Sequence, residues 1–326
     1  MITPGKLAPS LRAFSVILVS LIHCLITQAH SGSGIAVDGL GRVFFTDGPL
    51  IVMINTNGQA RTIVHDLKNE KFYQLHHIRR APGGGLITAS DIGNGIWRFS
   101  PEGLLTRFYP PENSDRALRV GIGGDPFEVD AEGNIYSVNS LQYRFTQIVK
   151  TSPEGRMRVL AGGAWGVADG QGEEAEFANL HGASFLLGSD GSLFITDGGV
   201  RVRKVSPSGE VTTIAGGAES MHRDGPCEAS RFVRGAGMAW DAAGNLLVAD
   251  AGGERIRSIR SGGTVLTVAG TGITGHANGP CAEAAFDGPT GIAVAHNGDL
   301  FVLEPERSRV RKISAGRVTT LCEGLP

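Results

Sequence analysis

The sequence has almost no excess of charge of either sign. The 326 residues carry 30 Lys and Arg against 32 Asp and Glu, a formal net charge of -2. A chain so nearly balanced has no bulk electrostatic attraction to nucleic acid or acidic lipid, and we expect no nucleic-acid partner. Aromatic residues are also few, at 6%. This argues against a carbohydrate platform, which stacks sugar rings on Trp or Tyr.

Helical periodicity and familiar catalytic motifs are missing as well. No segment repeats its apolar residues at helical spacing, and no Ser/His/Asp hydrolase motif is present. The glycine run at 83–85 is followed by no helical pattern, so it is not a phosphate-binding loop. These absences favour an all-β fold, in which any chemistry depends on residues that the fold brings together.

Cysteine is rare, with four copies. One lies near the N-terminus, which leaves Cys227, Cys281 and Cys322 in the rest of the chain. An odd number leaves at least one thiol unpaired. Cys227 and Cys281 occupy matching positions of neighbouring sequence repeats, too far apart for a disulfide. We therefore expect structural packing as the role of all three, and the sequence leaves open whether two of them pair.

The first 29 residues predict a secretory signal peptide. Two basic residues precede an apolar run over 14–26, and small residues lead to Ala29. The run is short for a membrane span, so an uncleaved anchor is the second choice. We expect cleavage after Ala29, with Ser31 as the alternative. The mature protein would be secreted or periplasmic, without a membrane anchor.

Glycine is abundant, at 48 residues, and it punctuates a sequence repeat. The stretches that begin at Phe177, Phe232 and Phe286 follow one order. An apolar run is followed by a run ending in an acid, an arginine-rich run and a Val/Thr-rich run. Runs rich in Val, Ile, Phe and Thr, separated by Asp-Gly and Asn-Gly, are typical of short antiparallel strands.

The residue before the first strand of each unit recurs six times, at intervals of about 50 residues. These residues are Ser33, His76, Asp125, His181, Ala236 and Thr290. Six units of four antiparallel strands predict a six-bladed β-propeller, a single domain over residues 30–326. The blades are expected near 30–68, 69–118, 119–163, 164–217, 218–272 and 273–326.

The repeat resembles the NHL-repeat family. The resemblance is carried by Pro289–Val294, by the acid-ended run 245–250 and by the arginine-rich run 309–313. It covers nearly the whole mature chain and is strongest in the last three units. The resemblance implies a propeller with a funnel at its axis. Members of the family include scaffolds, sensors and enzymes, so the fold does not choose the function.

One rim of the propeller is the expected functional face. We name the strands of a blade A to D, from the axis outward. The start of A lies beside the end of B, so the six residues before strand A meet a second ring on one rim. That second ring is Asp47, Ser90, Asn139, Asp197, Asp250 and Glu304. Loops from every blade meet there, which makes this mouth the default ligand site.

A metal site is predicted at this mouth. His76, His181 and Asp125 come from three consecutive blades, and two imidazoles with a carboxylate are suitable ligands for a divalent ion. Zinc or calcium is expected, with copper as an alternative if His30 becomes the mature N-terminus. The competing interpretation is that the two histidines are axial polar residues bonded to water.

The remaining ring residues supply candidate catalytic and substrate-binding groups. Glu304 or Asp197 would act as the base, with Glu304 long enough to reach into the funnel. Ser33, Asn139, Thr290 and Asp250 would contact substrate. The alternative for the acids at the end of strand B is structural: they accept turn amides or pair with Arg203, Arg257 and Arg311.

Two function classes follow. The first is a metal-dependent lyase or hydrolase acting on a small polar or peptide-like substrate. The resemblance extends to amidating lyases, streptogramin lyases and gluconolactonase-type propellers. The second is a non-catalytic exported propeller that binds a peptide, a glycan or an envelope protein. The gathering of His76, His181 and Asp125 favours the enzyme, because a pure scaffold does not need it.

Overall fold

A computed structural model describes residues 34–65, 75–90, 95–109, 125–141, 145–178 and 180–324. The chain divides into residues 1–30 and residues 31–326, and the described residues all belong to the second unit. Because the described residues begin at 34, the expected signal peptide, His30 and Ser33 lie outside them. Within those residues, no helix is long and apolar enough to cross a membrane.

The described residues form six antiparallel sheets, as the repeat predicts. The first three blades have four strands each. Blade 1 contains β1 (Ile35–Val37), β2 (Val43–Asp47), β3 (Leu50–Ile54) and β4 (Ala60–His65). Blade 2 contains β5 (Leu75–Arg80), β6 (Leu86–Ser90), β7 (Gly95–Phe99) and β8 (Leu105–Tyr109). Blade 3 contains β9 (Phe127–Val129), β10 (Ile135–Leu141), β11 (Phe145–Thr151) and β12 (Met157–Ala161).

The last three blades have five strands each. Blade 4 contains β13 (Gly170–Gln171), β14 (Phe185–Leu187), β15 (Leu193–Asp197), β16 (Arg201–Val205) and β17 (Glu210–Gly216). Blade 5 contains β18 (Gly225–Pro226), β19 (Gly235–Trp240), β20 (Leu246–Asp250), β21 (Arg255–Arg260) and β22 (Thr264–Ala269). Blade 6 contains β23 (Gly279–Pro280), β24 (Gly291–Val294), β25 (Leu300–Glu304), β26 (Arg309–Ser314) and β27 (Arg317–Cys322). The described helices are two 3-10 turns, at Gly172–Glu174 and Pro305–Arg307.

The fifth strand is the one departure from the expected four-stranded blade. β13, β18 and β23 are two-residue strands that pair with strand D of their own blade. Each directly follows a short polar residue, Asp169, Asp224 or Asn278, whose side chain bonds strand D. A strand of two residues has no alternating pattern, so periodicity could not reveal it.

The core consists of interfaces between successive blades. The A strands β1, β5, β9, β14, β19 and β24 contact one another in turn, and β24 contacts β1 to close the ring. At that closing seam, Ile35 and Phe45 of blade 1 pack with Phe301 and Leu303 of blade 6. Blade 6 uses its own β27 as strand D. In the described chain, the ring therefore closes by side-chain packing rather than by strand exchange.

One turn glycine shows how tightly neighbouring blades approach. Gly209, in the turn between strands C and D of blade 4, has a φ of 92°. A Cβ atom at this position would lie 2.3 Å from the backbone oxygen of Leu160 in blade 3. Glycine is needed here both for the left-handed conformation and for the close approach.

Candidate functional site

The rim at the start of the A strands brings two of the predicted metal ligands together. Asp125 precedes β9 in blade 3, and His181 precedes β14 in blade 4. The Nδ1 atom of His181 lies 3.5 Å from Oδ1 of Asp125. The His181 side chain is 41% exposed and that of Asp125 17%. We call these two residues the rim pair. The pair is open to solvent on the imidazole side and supported by protein on the carboxylate side.

The contact between His181 and Asp125 orients the imidazole. A carboxylate near Nδ1 favours a proton on that nitrogen and places the acceptor lone pair on Nε2. The distance of 3.5 Å is long for a direct hydrogen bond, but catalytic and binding contacts commonly tighten when ligand is present. The rim pair can therefore coordinate, accept a hydrogen bond or move a proton.

The third predicted ligand cannot be placed with the other two. His76 is the second residue of β5, and its side chain lies outside the described residues. Its neighbour His77 is 1% exposed and packs edge-on against Phe127, with ring centroids 6.2 Å apart. Among the described residues, no group of three or more His, Cys, Asp or Glu side chains could hold a metal.

His181 does not occupy the ring position that the sequence repeat assigned to it. Strand pairing makes Phe185 of blade 4 equivalent to Met238 and Ile292 of the next two blades. The ring position, two residues earlier, is therefore Ala183, and His181 lies further back in the preceding loop. That loop is longer in blade 4, which displaced the alignment. The longer loop still carries the imidazole to Asp125.

The predicted bases lie inside the blades, and this corrects the expectation that Glu304 reaches into the funnel. Glu304 is 0% exposed. Its carboxylate is 3.2 Å from Nη1 of Arg311 and 3.1 Å from Nη1 of Arg309, and it accepts a hydrogen bond from the amide of Asp287. Burial raises the pKa of Glu304, while the Asp287 amide and the two guanidinium groups offset part of that rise.

Asp197 and Asp250 have the same surroundings in blades 4 and 5, and both are 0% exposed. Asp197 accepts from the amide of Ala178 and pairs with Arg203 at 2.9 Å. Burial raises the pKa of Asp197 against the opposing effect of Arg203. Asp250 accepts from the amide of Arg234 and pairs with Arg257 at 3.2 Å. Asp197 and Asp250 thus make the amide and arginine contacts that the structural alternative expects.

Each of these arginines also holds the outer part of its blade. Arg257 donates to Asp224 beside the fifth strand and lies over the ring of Phe232, with 5.1 Å from Cζ to the ring centroid. The equivalent stacking distances for Arg203 on Phe177 and Arg311 on Phe286 are 4.9 and 5.3 Å. A guanidinium suits this place because it makes several directed hydrogen bonds while its plane stacks on an aromatic ring.

The other predicted substrate contacts are less accessible than expected. Thr290 is 4% exposed, and its hydroxyl has no hydrogen-bond partner among the described residues. Its backbone oxygen accepts from Gly237 of blade 5. Asn139 is half-buried and donates to Gln147 across its own blade. Of the predicted site residues whose side chains are described, Asp125 and His181 are therefore the two that form an open site.

The structure contains an ion pair between A strands that the sequence did not predict. Arg79 on β5 lies 3.2 Å from Glu128 on β9 and also donates to the backbone oxygen of Phe185 on β14. Burial lowers the pKa of Arg79 and raises that of Glu128, and each charge opposes the shift of the other. The sign available in the sequence was the pair Arg79 and Arg80, at places where the first strands of blades 1 and 6 carry Ala and Val.

A separate cleft of about 440 Å³ lies at the opposite rim, where blades 1 and 6 meet. Its lining includes Leu40, Asn55, His296 and Lys312. Lys312 is paired with Asp299 at 2.7 Å, and Asn55 bonds within its own turn. None of the lining residues belongs to the predicted site. The chemistry we derive therefore rests on the rim pair.

Comparisons with known proteins agree with this architecture. No family model matches the chain. The protein SUPPRESSOR OF QUENCHING 1, chloroplastic, of Arabidopsis thaliana is 31% identical over 188 residues, which is 50% of this chain and 17% of that protein. This chain thus corresponds to a small part of that curated relative.

The solved structures that resemble the chain share its fold at low identity. A protein of unknown function from Bacteroides thetaiotaomicron VPI-5482 has a TM-score of 0.68 at 19% identity, covering 87% of this chain and 69% of that one. An auxiliary nutrient binding protein from the same organism has a TM-score of 0.64 at 14% identity, covering 90% of this chain and 70% of that one. Catalytically inactive virginiamycin B lyase from Staphylococcus aureus, crystallised with quinupristin, has a TM-score of 0.52 at 16% identity, covering 88% of this chain and 83% of that one. The chain is an all-β, six-bladed β-propeller.

Proposed function

We propose that this protein is an exported NHL-type β-propeller that binds a small polar or peptide-like ligand at the rim pair. The observation that carries the proposal is the contact of His181 with Asp125 across adjacent blades, at 3.5 Å and open to solvent. The acids of blades 4 to 6 are buried by arginines. The side chains of the rim pair, by contrast, keep part of their surface exposed to solvent.

The ligand class follows from the chemistry of the pair. A neutral imidazole donates one hydrogen bond and accepts another, and a carboxylate accepts several or pairs with a cation. Peptide groups and amines match both. Structures of similar shape are described as a nutrient binding protein and as a lyase with quinupristin, so one propeller architecture accommodates both binding and catalysis.

Binding is tested with the mature protein, a defined set of linear peptides, and quinupristin as a cyclic peptide probe. We expect saturable shifts of the His181 imidazole resonances, lost in Asp125→Ala and retained in His296→Ala, a change at the opposite rim. Binding that survives Asp125→Ala, or no binding by any probe, would reject a peptide-like ligand at the rim pair.

A second candidate is metal-dependent lyase or hydrolase chemistry at the same rim. Nitrogen and oxygen donors already face each other in the rim pair, and this donor set fits zinc. His76 on the neighbouring β5 is the proposed third ligand, with calcium and copper as alternative ions. A bound metal would polarise a substrate carbonyl or activate water. Glu304 and Asp197 are buried, so neither is the base in this proposal.

Elemental mass spectrometry separates the two candidates. One equivalent of zinc, calcium or copper, lost in the His76→Ala/His181→Ala double variant and retained in His276→Ala/His296→Ala, would support the metal. Absence of all three ions after reconstitution would leave the binding function alone. Export is tested separately by N-terminal sequencing of secreted protein, which should begin at His30. An envelope protein co-purifying through the rim pair would extend the ligand class to a macromolecule.

A further inference from the structure

We propose that Arg79 is a positioning residue for the rim pair. Arg79 does not contact Asp125 or His181 in any bond described above. It contacts instead the two strands that immediately follow them: Nε forms an ion pair with Oε2 of Glu128 on β9 at 3.2 Å, and Nη2 donates to the Phe185 oxygen on β14 at 3.3 Å. We call this arrangement the axial brace. It rests on the rim pair of the proposed function.

The brace fixes the relative placement of the two residues through short lengths of chain. Glu128 is three residues after Asp125, and Phe185 is four residues after His181. β9 and β14 are neighbouring A strands whose backbones are not joined in one sheet. A shift of one strand along the other would therefore change the distance from Nδ1 of His181 to Asp125 directly. A guanidinium that bonds both strands resists this shift.

Burial makes the brace stiff. The side chains of Arg79 and Glu128 are 11% and 10% exposed. Glu128 also accepts from the amide of Val129 through its other oxygen. A charged pair with little access to water is weakly screened, so its geometry is held more firmly than that of a surface pair. Arginine also spreads its donors over a rigid planar group, whereas the three donors of a lysine sit on one nitrogen.

Arg80 is a matched control within the same strand. It donates through Nε and Nη2 to the backbone oxygen of Val37, at 3.0 and 2.6 Å. Arg80 thus joins blade 2 to blade 1, away from β9 and β14. Loss of Arg80 removes a guanidinium and inter-blade hydrogen bonds from β5 but leaves the brace intact.

The test measures the tautomer of His181 in the mature protein by long-range ¹H–¹⁵N NMR, which needs no ligand. The Asp125→Ala variant gives the tautomer ratio of His181 in the absence of the carboxylate. The double variant Arg79→Met/Glu128→Met removes the pair without leaving a buried charge behind. We expect the ratio of Nδ1–H to Nε2–H to fall by about twofold or more, toward that of Asp125→Ala, because the partner of one ring nitrogen sets the tautomer.

Arg79→Lys keeps a charge beside Glu128 but removes the Nη2 atom that donates to Phe185 of β14. It should lower the ratio in the same direction and serves if the double variant does not fold. Arg80→Met should leave the ratio at the wild-type value. Folded Arg79 variants with wild-type tautomers would overturn the proposal, as would an Asp125→Ala protein with an unchanged ratio. Failure of peptide or metal binding would not affect this result, so the two proposals fail separately.

Discussion

Nη1 of Arg311 lies 3.2 Å from the Glu304 carboxylate, and both side chains are completely buried. This relationship decides how blade 6 is held together. Glu304 is longer than the aspartates of blades 4 and 5, and it accommodates a second arginine, Arg309. The extra length therefore serves an additional ion pair inside the blade rather than access to the mouth.

Replacing Glu304 should destabilise the fold. Glu304→Gln leaves the buried guanidinium of Arg311 without its counter-charge, while Arg309 keeps its pair with Glu323. Breaking a buried pair in this way costs about 3–5 kcal/mol. Chemical denaturation should show that loss, whereas Glu306→Gln, at an exposed position nearby, should change stability little. A Glu304→Gln protein of wild-type stability that lacks activity or ligand binding would restore the base that the sequence suggested.

The fifth strand of blade 5 should depend on Asp224. Its carboxylate bonds both Arg257 and the amide of Thr267 on strand D. Asp224→Ala removes both bonds, and we expect a loss of about 1–3 kcal/mol. Hydrogen exchange of the Thr267 amide should accelerate. The equivalent amide of Thr213 in blade 4, which bonds Asp169, should keep its protection. Equal acceleration at both amides would show global rather than local loosening.

Acid stability should include a contribution from Asp190. The hydrogen bond from Lys204 lowers the pKa of Asp190 to about 2, below its ordinary value of 3.8. The folded protein thus binds this proton more weakly than the unfolded chain. The contribution is present above pH 3.8 and is lost as the pH falls toward 2.

NMR titration of the Asp190 carboxyl, with Lys204→Met for comparison, checks this expectation. Lys204→Met removes the largest cause of the shift and should move the titration midpoint up toward 3.8. Melting temperatures should then fall less steeply between pH 4 and pH 2 than in the wild type, by a small amount because the pair is exposed. An unchanged midpoint would show that the Ser192 contacts alone lower this pKa.

The three described cysteines should remain thiols under oxidising conditions. Cys227, Cys281 and Cys322 are free, and burial raises the pKa of each. Since the thiolate is the reactive form, labelling of the folded protein by a disulfide reagent should be slow, and denaturation should release three thiols. Reductant should leave the melting temperature unchanged. An intact mass lower by two hydrogens would indicate a disulfide.

The fold was predictable because the chain repeats one structural unit six times. Turn glycines, β-branched runs and acid-ended strands are local features, and repetition turns them into a global arrangement. The pairing of Asp197 with Arg203 was also within reach as an alternative, since both residues recur at fixed places in the repeat.

The site was less predictable because it is built from departures from the repeat. The longer loop of blade 4 moved His181 away from its aligned position, yet carried it to Asp125. Arg79 of blade 2 contacts Glu128 of blade 3 and Phe185 of blade 4. A local sequence pattern cannot predict partners so far along the chain. Two-residue strands such as β23 are too short to show a period.

The closure of the ring has an evolutionary consequence. Because blade 6 supplies its own outermost strand, each described blade is a continuous piece of polypeptide that completes itself. Duplication or deletion of one whole unit would then transfer an intact sheet, with no shared strand to rebuild elsewhere. Such a chain is suited to change its blade number by simple recombination. A circular permutant cut between two other blades should form the same ring.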